Sequence, residues 1–579
     1  MRNLNYRFQT NLLTGFLLLT IIVQPLMSFT RNPDTLHDAY FFSQGKALNS
    51  GLKIHEDIYS PYGPLVPWIL SVCMKLFGDY LILGRLLGLF IFISVCLFMY
   101  SLLRYKLSIV SSLLFVSLYV SLSPERTEVS SPRWIYGAGI WPTSLAILLT
   151  LNLLWMTVRI FDSERQNKMS DSYLIVSSLF SSLLLISRIQ GILTFSLFFL
   201  GICLCVNSKQ IEIRRRSFIV LLGMSFSTLI LIVSLWRSGT LSSTFSEMIV
   251  APFNVTASGM SGRWLSWLSA LFLSCAASIL AFSITILVIR FSIKKLPIMV
   301  IVSFFSGITS ILFLASSKQD FPVSFNGNPI LWSRKVLTWL PSWTPWMVAL
   351  LCLFVILQAM SNVIQSATHG SKRISYSLNL NVLMIPIGIS SFSHLFYNYA
   401  YVYLLFPITF IIIIFNLDRI SVSALTRKSV KAWSLIQILV FLLVSVIGFQ
   451  QKTTSYPSGV FEGLRDTREY SYQIQELLSF IESAGIRQSS QLFCDQVIYR
   501  YFDVDSYKVD RNFLISPPRD KEFYISRIGD TAKQILVCGE NNFFSKADLL
   551  KSGWVEKAQK RVISNPSLSI QLLTNSGGG

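Results

Sequence analysis

From position 9 to position 449 the chain alternates between long apolar runs and short polar breaks. The runs are roughly 17–25 residues long, enough for an α-helix to cross the hydrocarbon of a bilayer. They predict spans at 9–29, 80–102, 107–123, 139–158, 172–187, 190–207, 217–236, 265–289, 297–316, 344–361, 377–394, 398–416 and 430–449. That makes about thirteen transmembrane helices. Pro61–Leu76 is also apolar, but three prolines and a lysine interrupt it, so it reads as an amphipathic, interfacial segment.

Past position 450 the period changes. Thr467–Ala484 carries Tyr470, Ile474, Leu477, Leu478 and Ile481 at helical spacing, whereas Gln491–Cys494, Gln534–Cys538 and Ser567–Leu573 read as short buried strands. The expected fold is therefore a polytopic α-helical membrane protein over residues 1–450. A small extracytoplasmic α/β or α+β domain follows over 451–579, long enough to bury its own core.

Composition excludes the ordinary alternatives. The 579 residues are 52% hydrophobic and 13% charged, about half the charge of an average soluble chain, with a mean hydropathy of +0.55. A soluble enzyme and a disordered chain are both ruled out. The net charge of +20 first suggests nucleic acid, but its distribution does not. Residues 451–579 hold 16 basic and 15 acidic residues; of the totals of 49 and 29, that leaves 33 and 14, a net +19, for the first 450. Excess Lys and Arg between apolar spans is an orientation signal. Placing Arg2 and Arg7 in the cytoplasm also puts Arg104/Lys106, Arg159/Arg165/Lys168, Lys209/Arg214/Arg215/Arg216, Arg290/Lys294/Lys295, Lys372/Arg373 and Arg419/Arg427/Lys428/Lys431 there. The C-terminal domain then lies outside. Met27-Ser-Phe-Thr30 offers no small-x-small cleavage site, so the first span is expected to stay as an anchor.

Six of the eight cysteines (Cys73, Cys96, Cys203, Cys205, Cys275, Cys352) lie in or beside spans and read as small apolar residues. Cys494 and Cys538 both end predicted strands on the oxidising side, where either a disulfide or two buried thiols would fit.

Acids narrow the search for chemistry. Of the 14 before position 451, nine face outside in this topology, and five of those share the first external loop: Asp34, Asp38, Glu56, Asp57 and Asp79. That loop reads Arg31-Asn-Pro-Asp-Thr-Leu-His-Asp-Ala-Tyr40, then a helix-like stretch to Gly51, then His55-Glu-Asp-Ile-Tyr-Ser-Pro-Tyr-Gly-Pro-Leu65. His55-Glu56-Asp57 has metal-binding residue types, but adjacent positions do not converge on one ion unaided. No Walker A loop, dinucleotide fingerprint or His-Glu-x-x-His motif is present.

These residues resemble a family. The acidic loop after the first span, the helix closed by Asn-Ser-Gly51, then Tyr62-Gly-Pro-Leu65, Leu76-Phe-Gly78 and Arg85 look like the GT-C class of membrane glycosyltransferases. That class includes the protein mannosyltransferases and the lipid A aminoarabinose transferases. The wording of the loop is most similar to little-characterised bacterial members. Trp141-Pro-Thr-Ser144, Ser393-His394-Leu395 and the external C-terminal domain add to the likeness.

The resemblance implies inverting transfer of a sugar from a polyprenyl-phosphate donor to a lipid, glycan or protein acceptor, at the outer face of a bacterial inner membrane. It implies an acidic base in the first loop, about 30–79; Asp38 matches that position best, through its neighbours His37 and Tyr40, and Asp34 is second. An N-cap or Asx-turn role after Pro33 is the alternative for Asp34. A carboxylate among apolar walls can act as such a base. The donor phosphate calls for external cations, and Arg85, Arg188, Arg263, Lys318 and Arg334 are the candidates. Arg85 within a span is costly unless used or paired, with Asp79 as an available partner. Arg188 either meets the phosphate or snorkels. Tyr62 and His394 are supporting candidates. At His394 the sequence Ser391-Phe-Ser-His-Leu lacks the charged residue that the resembling bacterial proteins carry ahead of it. No metal or other cofactor and no nucleic acid is expected. A transporter or flippase of a lipid-linked sugar, and a membrane scaffold, are the rival classes.

Overall fold

The computed structural model describes residues 2–28, 37–56, 60, 62–122, 142–161, 168–208 and 210–250, isolated helical positions between 380 and 415 and at 483 and 550, and the strands at 453–455, 465–467, 491–494, 534–538, 554–562 and 565–575. The spans expected at 265–289, 297–316, 344–361 and 430–449 lie outside the described residues, as do most of those at 377–394 and 398–416.

The first seven expected spans are helices. They are α1 (Arg2–Ser28), α4 (Leu81–Leu103), α5 (Ile109–Leu122), α6 (Pro142–Phe161), α7 (Lys168–Ser181) with its 3₁₀ continuation Ser182–Ile186, α8 (Ile189–Val206) and α9 (Ile211–Arg237). Two shorter helices, α2 (His37–Asn49) and α3 (Leu65–Phe77), fill the first inter-span segment. Four of these, α4, α6, α8 and α9, are long and apolar enough to cross a membrane.

α6 is the centre of this bundle. It opens on Pro142 at a first-turn position, where a missing N–H costs nothing. It packs on α4, α7, α8 and α9, and 78% of its most apolar 18-residue window is buried. For α9 the same share is 28%, leaving Phe218, Leu222, Phe226, Leu229 and Trp236 exposed, as a lipid-facing helix would.

The short helices are set by glycine. Gly51 (φ 89°) follows α2, and the amides of Ser50, Gly51 and Leu52 turn back to its last carbonyls. Gly78 (φ 91°) ends α3 with its amide on the Met74 carbonyl. α3 buries Leu65, Val66, Leu70 and Met74 against α2 and α4 and exposes Val72, Leu76 and Phe77, so it is apolar on both sides rather than the amphipathic segment expected of Pro61–Leu76.

Polar contacts sort the bundle into two ends. At one, the Arg216 guanidinium donates to the Arg159 carbonyl (2.8 Å), Arg215 pairs with Asp171 (3.0 Å), and Arg159 stacks over Tyr105. Arg214, Arg215 and Arg216 are thus part of α9 rather than a loop before it. At the other end, Thr143 meets Arg188, Gly63 meets Ser187, and His55 meets Glu247.

In the C-terminal region β1 (Thr453–Ser455) pairs antiparallel with β2 (Arg465–Thr467). A four-stranded sheet has the order β3-β4-β6-β5, from β3 (Gln491–Cys494), β4 (Gln534–Cys538), β5 (Trp554–Val562) and β6 (Asn565–Asn575). β3 and β4 match the expected strands residue for residue, and β6 contains the expected Ser567–Leu573. β5 was not legible: Glu556, Lys557, Lys560 and Arg561 hide the alternation of an edge strand, where charge is tolerated. β3 and β4 run parallel, with Cys494 beside Cys538 in the register. Most of the expected helix Thr467–Ala484, and both cysteine side chains, lie outside the described residues.

Candidate functional site

The second end of the bundle is built around a break in the helices. After the 3₁₀ turn Ser182–Ile186, Arg188 takes an extended backbone (φ −171°, ψ 166°) before α8 begins. Ser187 and Arg188 lie at 0% and 2% exposure, so this turn between two spans is itself buried. The Arg188 guanidinium donates to the Thr143 hydroxyl at the start of α6 and lies over the Tyr62 ring, 5.6 Å from its centroid. Arg188 does not snorkel; it is held inside by a hydroxyl and an aromatic face.

Tyr62-Gly63-Pro64 reaches this turn through a backbone bond, the Gly63 amide donating to the Ser187 carbonyl at 3.1 Å. The approach is so close that a Cβ at position 63 would overlap the Ile186 carbonyl. The Tyr62 ring also packs against Phe41 of α2, with centroids 5.7 Å apart.

Arg85 sits one helical turn into α4 and is 1% exposed. Asp79, which the sequence offered as an available partner for Arg85, lies 3.5 Å from Lys46 of α2. A guanidinium buried at this end of the bundle is a functional candidate.

The loop between α2 and α3 holds a second feature. His55 is 3% exposed with φ at 68°, the left-handed region that non-glycine residues rarely enter. Its Nδ1 lies 2.8 Å from Glu247 Oε2, and the Ser60 amide donates to the same oxygen at 3.0 Å. Glu247 belongs to a π turn (Ser246–Val250) that follows α10 (Leu241–Phe245). Glu56 turns away to an exposed pair with Lys53 (2.9 Å). His55 and Glu56 thus turn to different partners, Asp57 lies outside the described residues, and among the described residues no group of three or more His, Cys, Asp and Glu could hold a metal.

Of the expected site residues, the structure brings Tyr62 and Arg188 together. It places Asp38, His37 and Tyr40 by backbone only, in α2. Asp34, Arg263, Lys318, Arg334 and His394 lie outside the described residues. Sequence reasoning missed Glu247 and Thr143. Glu247 had a signal: it is the sole acid between Glu212 and Asp320, in an apolar neighbourhood. Thr143 lay within Trp141-Pro-Thr-Ser144, where only the motif was noticed.

No family model matches the chain, and no curated protein sequence matches it. Among solved structures it is similar to ArnT from Cupriavidus metallidurans bound to undecaprenyl phosphate, at 12% identity for the apo state and 10% for the bound one. Each comparison covers 97% of this chain and 98% of that one with a TM-score of 0.43. It is also similar to the oligosaccharyltransferase of Archaeoglobus fulgidus in complex with zinc and sulfate, at 10% identity and a TM-score of 0.43, over 95% of this chain and 72% of that one. Superpositions this loose carry no argument about chemistry, which rests on the residues above.

Proposed function

We propose that the protein is an integral membrane glycosyltransferase that moves a sugar from a polyprenyl-phosphate carrier to an acceptor at the outer face, inverting the anomeric centre. The observation that carries the reading is the contact chain Phe41–Tyr62–Arg188. Positions 38 and 41 are three apart on α2 and so share a helix face. Position 38 therefore lies on the helix face that carries Phe41, and Phe41 and the buried Arg188 both meet the Tyr62 ring.

That arrangement suits the chemistry. Asp38 takes the proton from an acceptor hydroxyl as its oxygen bonds to the anomeric carbon. The bond from that carbon to the phosphate oxygen breaks, and the polyprenyl phosphate leaves with one more negative charge. Arg188 and Arg85 offset that charge in a site of low dielectric, where fixed donors are most effective. Asp34 is the alternate base, and Arg263, Lys318 and Arg334 are further candidates for the phosphate. The N-terminus lies in the cytoplasm, residues 451–579 lie outside, and that outer domain shapes access of the acceptor. A flippase would need its charges near mid-membrane. Arg188 sits between two spans and Arg85 one turn from a helix end, which favours the transferase.

The test is transfer of radiolabel from a polyprenyl-phosphate sugar in proteoliposomes, comparing the wild type with Asp38→Asn. Wild-type transfer that is lost in the variant supports the reading. Full transfer by the variant removes Asp38 as the base, and a wild type that moves the lipid across the bilayer without transfer replaces the enzyme with a flippase.

A further inference from the structure

We propose that His55 and Glu247 form a clasp that positions Tyr62, and through it Arg188, for the donor phosphate; this rests on the function proposed above. One carboxylate oxygen, Glu247 Oε2, receives two donors from a loop 187 and more residues earlier: the Ser60 amide at 3.0 Å and His55 Nδ1 at 2.8 Å. Since a carboxylate only accepts, the His55 proton on this side belongs to Nδ1. The clasp continues inward. The Ser60 hydroxyl accepts from the Tyr62 amide (3.3 Å), and the next residue, Gly63, is tied to Ser187. Met248, beside Glu247 in the π turn, is buried and lies against position 63. Two loops from opposite halves of the described bundle thus fix the peptide that carries the Tyr62 ring under Arg188.

Two features mark this tie as specific. His55 holds a left-handed backbone that asparagine or glycine would adopt more readily, and Glu247 sits in a π turn, a helix form concentrated at functional sites. His55 and Glu247 touch no reacting atom in this scheme, so they are positioning residues.

The substitutions separate backbone from hydrogen bond. His55→Asn keeps a donor and suits the backbone; His55→Gly suits the backbone and removes the donor. Glu247→Gln keeps an acceptor oxygen, and Glu247→Ala removes it. With full-length protein in proteoliposomes, His55→Gly and Glu247→Ala should raise the KM for a polyprenyl-phosphate sugar about tenfold, the effect of one charge-assisted hydrogen bond, with kcat held within about twofold. His55→Asn and Glu247→Gln should restore most of it, and the double variant should be no worse than either single one. Amide hydrogen exchange is read in parallel and needs no activity: Glu247→Ala should speed exchange at both Ser60 and Gly63. Additive losses, a fall in kcat alone, or unchanged exchange at Gly63 overturns the clasp. Absent wild-type transfer together with faster exchange at both amides removes the function proposed above and leaves the clasp as the anchor of this loop.

Discussion

Arg188 and Tyr62 meet at 5.6 Å, guanidinium over ring, although 126 residues of chain separate them and both are buried. A cation–π contact of this kind strengthens when water is excluded, to roughly 2 kcal/mol. It leaves the edge of the guanidinium available for hydrogen bonding while its face is occupied, and Thr143 already uses that edge.

Arg188→Lys should behave as a severe change rather than a conservative one. An ammonium lacks the flat, five-donor fork that can lie on a ring and bond a hydroxyl and a phosphate together. Transfer from a polyprenyl-phosphate sugar should fall by about a hundredfold, the equivalent of ~3 kcal/mol. Tyr62→Phe keeps the ring and should retain most activity, whereas Tyr62→Leu should lose about tenfold. Steady-state kinetics of the three variants checks the order; equal activity of the lysine variant would sink the role of Arg188.

Arg85→Gln should raise the donor KM by about tenfold or more, because the amide keeps a similar reach but not the charge that would meet the phosphate. Binding of a fluorescent polyprenyl phosphate, measured beside thermal unfolding in detergent, separates lost affinity from lost stability.

Gly63→Ala should destabilise without touching any charged group. Its methyl would press on the Ile186 carbonyl, which is backbone and cannot swing aside. A loss of about 1–3 kcal/mol is expected, together with reduced transfer as the Tyr62 peptide is pushed off the Ser187 turn. The melting temperature of the purified variant tests the first part. Gly51→Ala, with open space around its Cβ but a φ of 89°, is the control for backbone strain alone.

At the opposite end, Arg216→Met should cost about 1.5–3 kcal/mol, the value of a hydrogen bond from a charged donor. Arg216 caps the C-terminal turn of α6 by donating to the Arg159 carbonyl, where a cation also meets the negative end of the helix dipole. Donor KM should stay within about twofold, since the proposed phosphate site is at the other end. A large change in KM with an unchanged melting temperature would contradict this division of labour.

The legible parts of the fold were those governed by local rules. Span lengths fixed α4, α6, α8 and α9, Asn-Ser-Gly51 marked the end of α2, and apolar runs located β3 and β4. Asp79 shows where such rules end. Its contact with Lys46 of α2 comes from packing that no local spacing encodes. Glu247 shows it again. A single acid in an apolar stretch gives no hint of its partner when that partner is a histidine 192 positions earlier. Arg188 was recognised as a break between spans, but its ring and hydroxyl partners come from two other segments that no periodicity connects to it.

α3 adds a consequence of a different kind. Its exposed Val72, Leu76 and Phe77 face away from the bundle while Leu65, Leu70 and Met74 hold it in place. With apolar residues on both its packed and its open side, α3 presents an outer surface that acyl chains rather than water would cover. Tyr62 lies just ahead of this helix, and Arg188 is fastened to Tyr62. Ring and cation are therefore tied to an element that lipid would hold, so that whatever shifts α3 in a bilayer shifts the Arg188 contact with it.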